Sequence, residues 1–389
     1  MKKQVTALAA SAAFAAPVFA QSSVTLYGVI DEGFVYTNNS NALGKASYQV
    51  QSGYAQGSRW GLRGSEDLGG GLKVVFALEN GFDLNSGRPQ PGGRMFGRQA
   101  FIGLTDDRYG TVKFGRQYDA LVDYLPQTTA NGNWGGFLLS HPLDNDNTGN
   151  SFRVNNTVKY TSPNISGLQF GGTYSFSNDT NFANNRQYSV GTQYANGPLL
   201  LAAAYLQANN PGVGNSGAIA ANDANFRSDR LRVFGGGAKY TFGSATVGFV
   251  YTNTNVKNPA GTVYLTDASG NFSPLVGAGG TLSALKFQNF EMNGRYQVTP
   301  TFFVGAQYVY TLVNYDALSG NLKPKVHSLG LMADYNLSKR TDLYAQGAYQ
   351  KVGGDKTGTV LDHAYIPGAG GVSSTTNQFA VRAAIRHKF

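Results

Sequence analysis

Few side chains in this sequence are equipped to make or break bonds. There is no Cys, which removes thiolate nucleophiles, thiolate metal ligands and disulfides together. The four His, His141, His327, His363 and His387, stand far apart, and neither a Gly-x-Ser-x-Gly elbow nor a His-Glu-x-x-His pair occurs. His363 beside Asp362 is the one suggestive pair, and chance adjacency in a loop accounts for it better. Gly277-Ala278-Gly279-Gly280 and Gly368-Ala369-Gly370-Gly371 lack the strand-to-helix setting of a phosphate cradle. Asp144, Asp146 and Asn147 offer hard oxygens suited to a surface Ca²⁺, although a plain polar loop is the better reading. No catalytic residue, cofactor or metal site is expected. Charge is the remaining resource: 31 Lys and Arg against 22 Asp and Glu give a net +9. These cations are dispersed, with no basic run or stacking platform, so nucleic acid is not an expected partner.

The elements that must position those charges are unusual. Gly contributes 51 of 389 residues, almost twice the ordinary ~7%, and charged residues are 14% against roughly a quarter in soluble domains. The 41% hydrophobic and 13% aromatic shares exclude a disordered chain. Lys2 and Lys3, the apolar run from Val5 to Phe14, and Val18-Phe19-Ala20 form a signal peptide over 1–20, cut before Gln21. That apolar run is far short of the ~20 residues of a membrane-spanning helix, and every later apolar run is soon broken. An exported chain of this kind is soluble, or it crosses the outer membrane as a barrel.

Alternation favours the barrel. Leu72, Val74, Phe76 and Leu78 share one face, with Lys73, Val75, Ala77 and Glu79 on the other. Leu168 to Phe176, Phe302 to Tyr310 and Leu329 to Leu337 repeat the pattern, and the polar faces carry Gly, Gln, Ser and Thr rather than the Lys and Glu of a sandwich exterior. Small polar residues facing a lumen, with Tyr and Phe near strand ends, suit a transmembrane barrel in outer-membrane lipid. Tight turns at 68–71, 106–109, 162–164, 195–197, 299–300 and 338–339 alternate with long polar stretches. The strands expected are 24–36, 57–67, 71–83, 95–105, 110–117, 151–162, 167–178, 186–195, 198–208, 229–242, 244–257, 284–298, 301–314, 326–337, 340–351 and 376–389. The fold class is therefore all-β, a sixteen-stranded antiparallel barrel forming one domain over 21–389. The long third outer loop, Tyr118 to Asn150, carries Tyr118, Leu121, Val122, Tyr124, Leu125, Trp134, Phe137, Leu138 and Leu139. A loop in water has no use for these, so it is expected to fold into the lumen, with a cap over the mouth or a subunit contact as the alternatives.

Three motifs then carry a resemblance. Ser23-Val24-Thr25-Leu26-Tyr27-Gly28-Val29-Ile30-Asp31, the run from Ser58-Arg59-Trp60-Gly61 to Gly71-Leu72-Lys73, and the terminal Arg386-His387-Lys388-Phe389 resemble general porins of the β-proteobacterial type, as do Phe96-Gly97-Arg98-Gln99 and Phe114-Gly115-Arg116-Gln117-Tyr118-Asp119. The resemblance implies a homotrimer passing small hydrophilic solutes and inorganic anions. It also implies wall arginines at a pore constriction: Arg59, Arg98 and Arg153, with Arg116 matching an arginine of the wider family. Where that family places a glutamate after the loop proline, this chain has Gln127, leaving Asp123 and Asp119 to face the arginines. Phe389 resembles the terminal aromatic read by the outer-membrane insertion machinery.

Parity gives an independent reading. Trp60 and Leu62 point to lipid, so Arg59 and Arg63 point to the lumen, as do Lys73 and Glu79 on the next strand. With Val154, Val158 and Tyr160 outward, Arg153 and Lys159 point inward. An inward Arg98 carries Ile102 and Leu104 inward with it. Strict alternation puts Arg116 on the side of Val112 and Phe114, and a bulge at Gly115 is needed to return it to the lumen. A substrate-specific channel of the same fold and a surface adhesin barrel are the alternative functions, separable by ligand saturation and by loop-only binding.

Overall fold

The computed structural model describes residues 23–266, 272, 273, 275, 282–318 and 320–389; the expected signal peptide and its cleavage before Gln21 lie outside these. Sixteen strands build the wall: β1 (Ser23–Thr37), β2 (Arg59–Gly69), β3 (Leu72–Phe82), β4 (Gln99–Asp106), β5 (Gly110–Gln117), β6 (Val154–Thr161), β7 (Leu168–Ser175), β8 (Gln187–Asn196), β9 (Leu199–Asn209), β10 (Arg230–Phe242), β11 (Ala245–Lys257), β12 (Leu282–Thr299), β13 (Phe302–Ala317), β14 (Pro324–Asn336), β15 (Thr341–Gly354) and β16 (Asn377–Lys388). Each pairs antiparallel with the next, and β16 returns to β1 from Val29↔Lys388 to Thr37↔Ala380. Gly28 and Phe389 complete the seam by exchanging backbone hydrogen bonds of 3.0 and 3.1 Å. Closure matters because hydrocarbon offers no partner to an unpaired strand edge.

The two faces separate as period two requires. On β13 and β14, Val304, Tyr308, Leu329, Leu331 and Tyr335 are exposed around the outside, whereas Gln307, Thr311, Met332 and Asp334 are enclosed within the wall. At the β2–β3 turn Gly69 and Gly70 take φ of 87° and 64°, a left-handed conformation that side chains resist.

Some strand ends differ from expectation. β4 begins at Gln99 rather than near residue 95, because the end of β3 is already paired by Pro89–Gln90 (Gly81↔Gln90). Residues 91–97 therefore leave the ladder, and Arg98, whose backbone is held by its amide on the Glu79 carbonyl (3.2 Å), escapes the alternation that Ile102 and Leu104 obey by facing outward. Within the 37–56 connection, Ser47–Ser52 forms a strand against the outer half of β1.

The segment from Tyr118 to Asn150 contains a short helix, α1 (Ala120–Tyr124), followed by brief helical turns. Its apolar residues meet inward side chains of the wall. Leu121, Leu125 and Leu143 join Leu206, Val233, Val250 and Phe287, while Trp134, Leu138 and Leu139 join Phe303, Met332, Tyr344 and Ala348. Polar wall residues hold its backbone: Asn293 donates to the Thr128 carbonyl (2.9 Å), Gln307 to that of Leu139 (3.0 Å), and Gln346 to that of Gly135.

Candidate functional site

The arginines singled out by sequence enter from strand starts on one side of the barrel. Arg59 opens β2, Arg98 immediately precedes β4, and Arg153 immediately precedes β6. Their shared acid is Glu79 of β3. Arg98 Nε donates to Glu79 Oε1 at 2.8 Å, and Arg59 Nε lies 3.7 Å from Oε2. The hydroxyls of Tyr27 and Tyr118 donate to the same carboxylate at 2.9 and 3.2 Å, and Arg98 Nη2 donates to the Tyr118 hydroxyl at 3.0 Å. Arg153 has no ion pair among the described residues; its guanidinium carbon lies 5.7 Å from the Tyr118 ring centroid and its Nε has no hydrogen-bond partner. A cavity of about 550 Å³ runs between these three arginines and Val122, Pro126 and Phe137 of the loop. Two guanidinium groups thus share one carboxylate beside an opening that Arg153 and Asp223 also line.

Arg116 is turned inward by the irregularity anticipated at Gly115, where φ is +127° and the β5–β6 register shifts. It belongs to the Asp223 side of the same cavity: Nε donates to the Gly97 carbonyl (2.7 Å) and Nη1 to Asn155 (2.5 Å). Its Nη2 stands 2.9 Å from Asp223 Oδ2, a contact of charge rather than an aligned hydrogen bond. Arg94 also pairs with Asp223, at 3.0 Å.

Several expectations need correction. Asp119 does not face the arginines; it is wholly buried, capping α1 through the Leu121 and Val122 amides and accepting from Asn147 at 2.8 Å. Burial pushes its carboxyl up to about 6. Asp123 pairs with Lys159 instead of an arginine, and burial raises its carboxyl against the pull of that ammonium. Gln127 donates to Gln193 at 2.6 Å and to the Asp123 carbonyl, tying the loop to β8. Val154 faces the interior cluster rather than lipid, because the β5–β6 register shifts and Asn156 takes φ of 52°; the parity used for Arg153 therefore breaks, although Arg153 still lines the cavity. Asp144 and Asp146 are buried, and their oxygens are taken up by the Gly149 and Ser151 amides and the Thr148 and Thr252 hydroxyls, which leaves a Ca²⁺ no free ligand set. Asp362 accepts from Thr357 and Gly358, and among the described residues no hydrogen bond or ion pair joins it to the His363 side chain. Arg63 lies over the Tyr27 ring at 5.0 Å, Lys73 is half-buried, and the Phe389 ring covers Gly28.

Sequence reasoning passed over His141. Its ring is buried between two acids, with Nδ1 2.5 Å from Asp146 and Nε2 2.8 Å from Glu291 of β12. Glu291 also accepts from the Ala130 amide (2.6 Å) and Asn293 (2.7 Å). Burial opposes a charged imidazole, but the two carboxylates outweigh it and raise His141 to about 10; Asp146, buried likewise, is held down to about 2 by His141 and its hydrogen bonds. Partners 150 residues apart leave no local signal.

Comparison with known proteins now decides the family. The Gram-negative porin family model matches residues 7–355. The chain belongs to that family. An outer-membrane porin of Bordetella pertussis is 35% identical over 390 residues, covering 90% of this chain and 94% of that protein. Outer membrane porin protein 32 of Delftia acidovorans is 31% identical with both chains fully covered. Among solved structures, the anion-selective porin from Comamonas acidovorans superposes with a TM-score of 0.71 at 26% identity, covering 95% of this chain and all of the other. The trimer form of OmpT of Vibrio cholerae, at 17% identity and TM-score 0.63 over 95% of this porin and 99% of that chain, shares the fold. The protein is thus an outer-membrane porin with a closed antiparallel barrel.

Proposed function

We propose that this porin assembles as a homotrimer and passes small hydrophilic solutes by passive diffusion, with a preference for anions, and that it carries no enzymatic activity. The loop from Tyr118 to Asn150 narrows the lumen opposite the arginines. The observation that carries the preference is the imbalance at the cavity: Arg59, Arg98 and Arg153 stand against Glu79, while Asp223, which also lines it, is taken up by Arg94 and Arg116, and Asp123 is neutralised by Lys159. The name of the Comamonas protein supports the same reading. Guanidinium groups are ionised at neutral pH, Arg153 included although burial and the neighbouring Arg98 lower it to about 10, and rings of fixed charge select ions. One net charge about 6 Å from a passing ion in a water-like dielectric favours a monovalent anion over a cation about fourfold at 0.1 M salt. Two net charges give on the order of tenfold, falling to about twofold at 1 M as the Debye length shortens to ~3 Å. The test is the reversal potential of the purified protein in a planar bilayer under a KCl gradient. Chloride preference that shrinks with salt is expected; cation preference at low salt refutes the proposal.

A further inference from the structure

Between the arginine cluster and the tight-turn end, the inner wall sets apolar side chains among the Ser, Thr and Gln usual in a barrel lumen. Phe101 of β4 and Val75 and Ala77 of β3 face inward, and with Tyr27 of β1 they form the apolar part of a recess of about 480 Å³ whose lining also includes small and polar side chains, Ser65, Gln99 and Thr111 among them, within the ~300–1,000 Å³ of small-molecule sites. Two cations stand over this apolar part. The Arg63 guanidinium lies 5.0 Å from the Tyr27 ring centroid and the Lys113 ammonium 4.6 Å from that of Phe101. Neither has an ion pair among the described residues, and the neighbouring acids are committed elsewhere: Glu79 to Arg98 and Arg59, Asp123 to Lys159, Asp106 to Arg108.

Cations alone suit any small anion, and an apolar floor alone suits any small hydrocarbon. Their coincidence selects a molecule with both parts. We propose that the recess is a binding site for aromatic monocarboxylates in transit, the carboxylate meeting Lys113 while the ring packs against Phe101, Val75 and Ala77, with Arg63 adding its charge from the Tyr27 side. Charge-assisted hydrogen bonds hold the head group, and the ring displaces water from Phe101, Val75 and Ala77. This deepens the diffusion-pore reading and rests on it, since the ligand reaches the recess through the lumen.

The probe is benzoate, with acetate as the charge without the ring and benzyl alcohol as the ring without the charge. Chloride-carried conductance of the folded protein in planar bilayers is titrated with each in 0.1 M KCl, and binding is measured in parallel by calorimetry. Benzoate is expected to half-block at a concentration about tenfold below acetate, a gap the size of one well-packed ring contact, with benzyl alcohol inactive. F101S should bring benzoate to the acetate value, and R63Q/K113Q should abolish the block by both acids. Equal half-block by benzoate and acetate in the wild type overturns the site whatever the variants do, as does an unchanged ratio in folded F101S. A wild type that conducts chloride yet neither binds nor responds to benzoate overturns the site and leaves the pore reading; a wild type that conducts no ion overturns both.

Discussion

Removing the His141 ring should release the inner loop without opening the barrel. The imidazolium bridges Asp146 and Glu291 at 2.5 and 2.8 Å with no exposure to solvent, so H141A leaves two buried carboxylates facing each other. Breaking a buried ion pair from one side costs about 3–5 kcal/mol, which moves the attachment equilibrium of the loop by roughly 10²- to 10⁴-fold toward release. The strand ladders do not depend on this ring, so the loss falls on the loop. The pH window has two edges. His141 is raised above its unfolded value, so its contribution is complete below about 6.5 and disappears as pH climbs through about 10. Asp146 is depressed, so its contribution is present above about 4 and is lost as pH falls toward about 2. Single-channel recording and limited proteolysis supply the assay. H141A at pH 7 should show larger, noisier conductance and cleavage within 118–150, with unchanged heat-modifiable migration of the barrel; the wild type should approach that behaviour above about pH 10. Conductance, noise and cleavage all equal to wild type in H141A refute the clasp.

Three further outcomes are expected. R153S should lower the chloride-over-potassium ratio and E79Q should raise it, each about fourfold at 0.1 M salt, while R59S/R153S and Q127E shift it toward cations; near-neutral selectivity in all variants, with loss of oligomer stability in the arginine mutants, means that these groups only brace the loop. Gly305 faces the Trp134 ring so closely that an added Cβ falls 2.7 Å from it, so G305V should displace the loop at a cost of about 1–3 kcal/mol, read as increased conductance noise without loss of barrel. Deleting Phe389 removes both the backbone seam with Gly28 and the ring above it; folded, heat-modifiable protein in the outer membrane should fall while export across the inner membrane persists, and unchanged assembly refutes the role.

Period-two alternation made the wall legible because lipid and lumen impose opposite chemistry on neighbouring residues, and this holds along β13 and β14 from Phe302 to Asn336. It failed where the backbone leaves the ladder. Arg98 lies outside β4, and Val154 is reversed by the register shift beside Asn156. Gly115 could be suspected, since a bulge needs a residue tolerant of positive φ. The partners of the charges were harder to see. Glu79 was placed in the lumen by parity, but Arg98's choice of Glu79 over the loop acids depends on which strand starts converge. Asp223 lies more than 100 residues from Arg116 and Arg94, and Glu291 is equally remote from His141. Asp119 was misread because an acid before a helix is a cap as readily as a pore carboxylate.

A charged constriction has conflicting requirements. Each guanidinium must be held in place, yet every carboxylate used to hold one cancels its field on a passing ion. Here Glu79 serves two arginines at once, and neutral groups complete the support. Tyr118 is central among them: its hydroxyl accepts from Arg98 and donates to Glu79, its ring faces Arg153, and its carbonyl accepts from Lys159 at 3.1 Å. Tyrosine does this without adding negative charge, so the cluster keeps its positive excess while its geometry is fixed. The same residue begins the inner loop. The placement of the arginines and the path of the opposite wall are therefore coupled through one side chain, which explains why an aromatic hydroxyl, rather than a further acid, stands where the loop leaves β5.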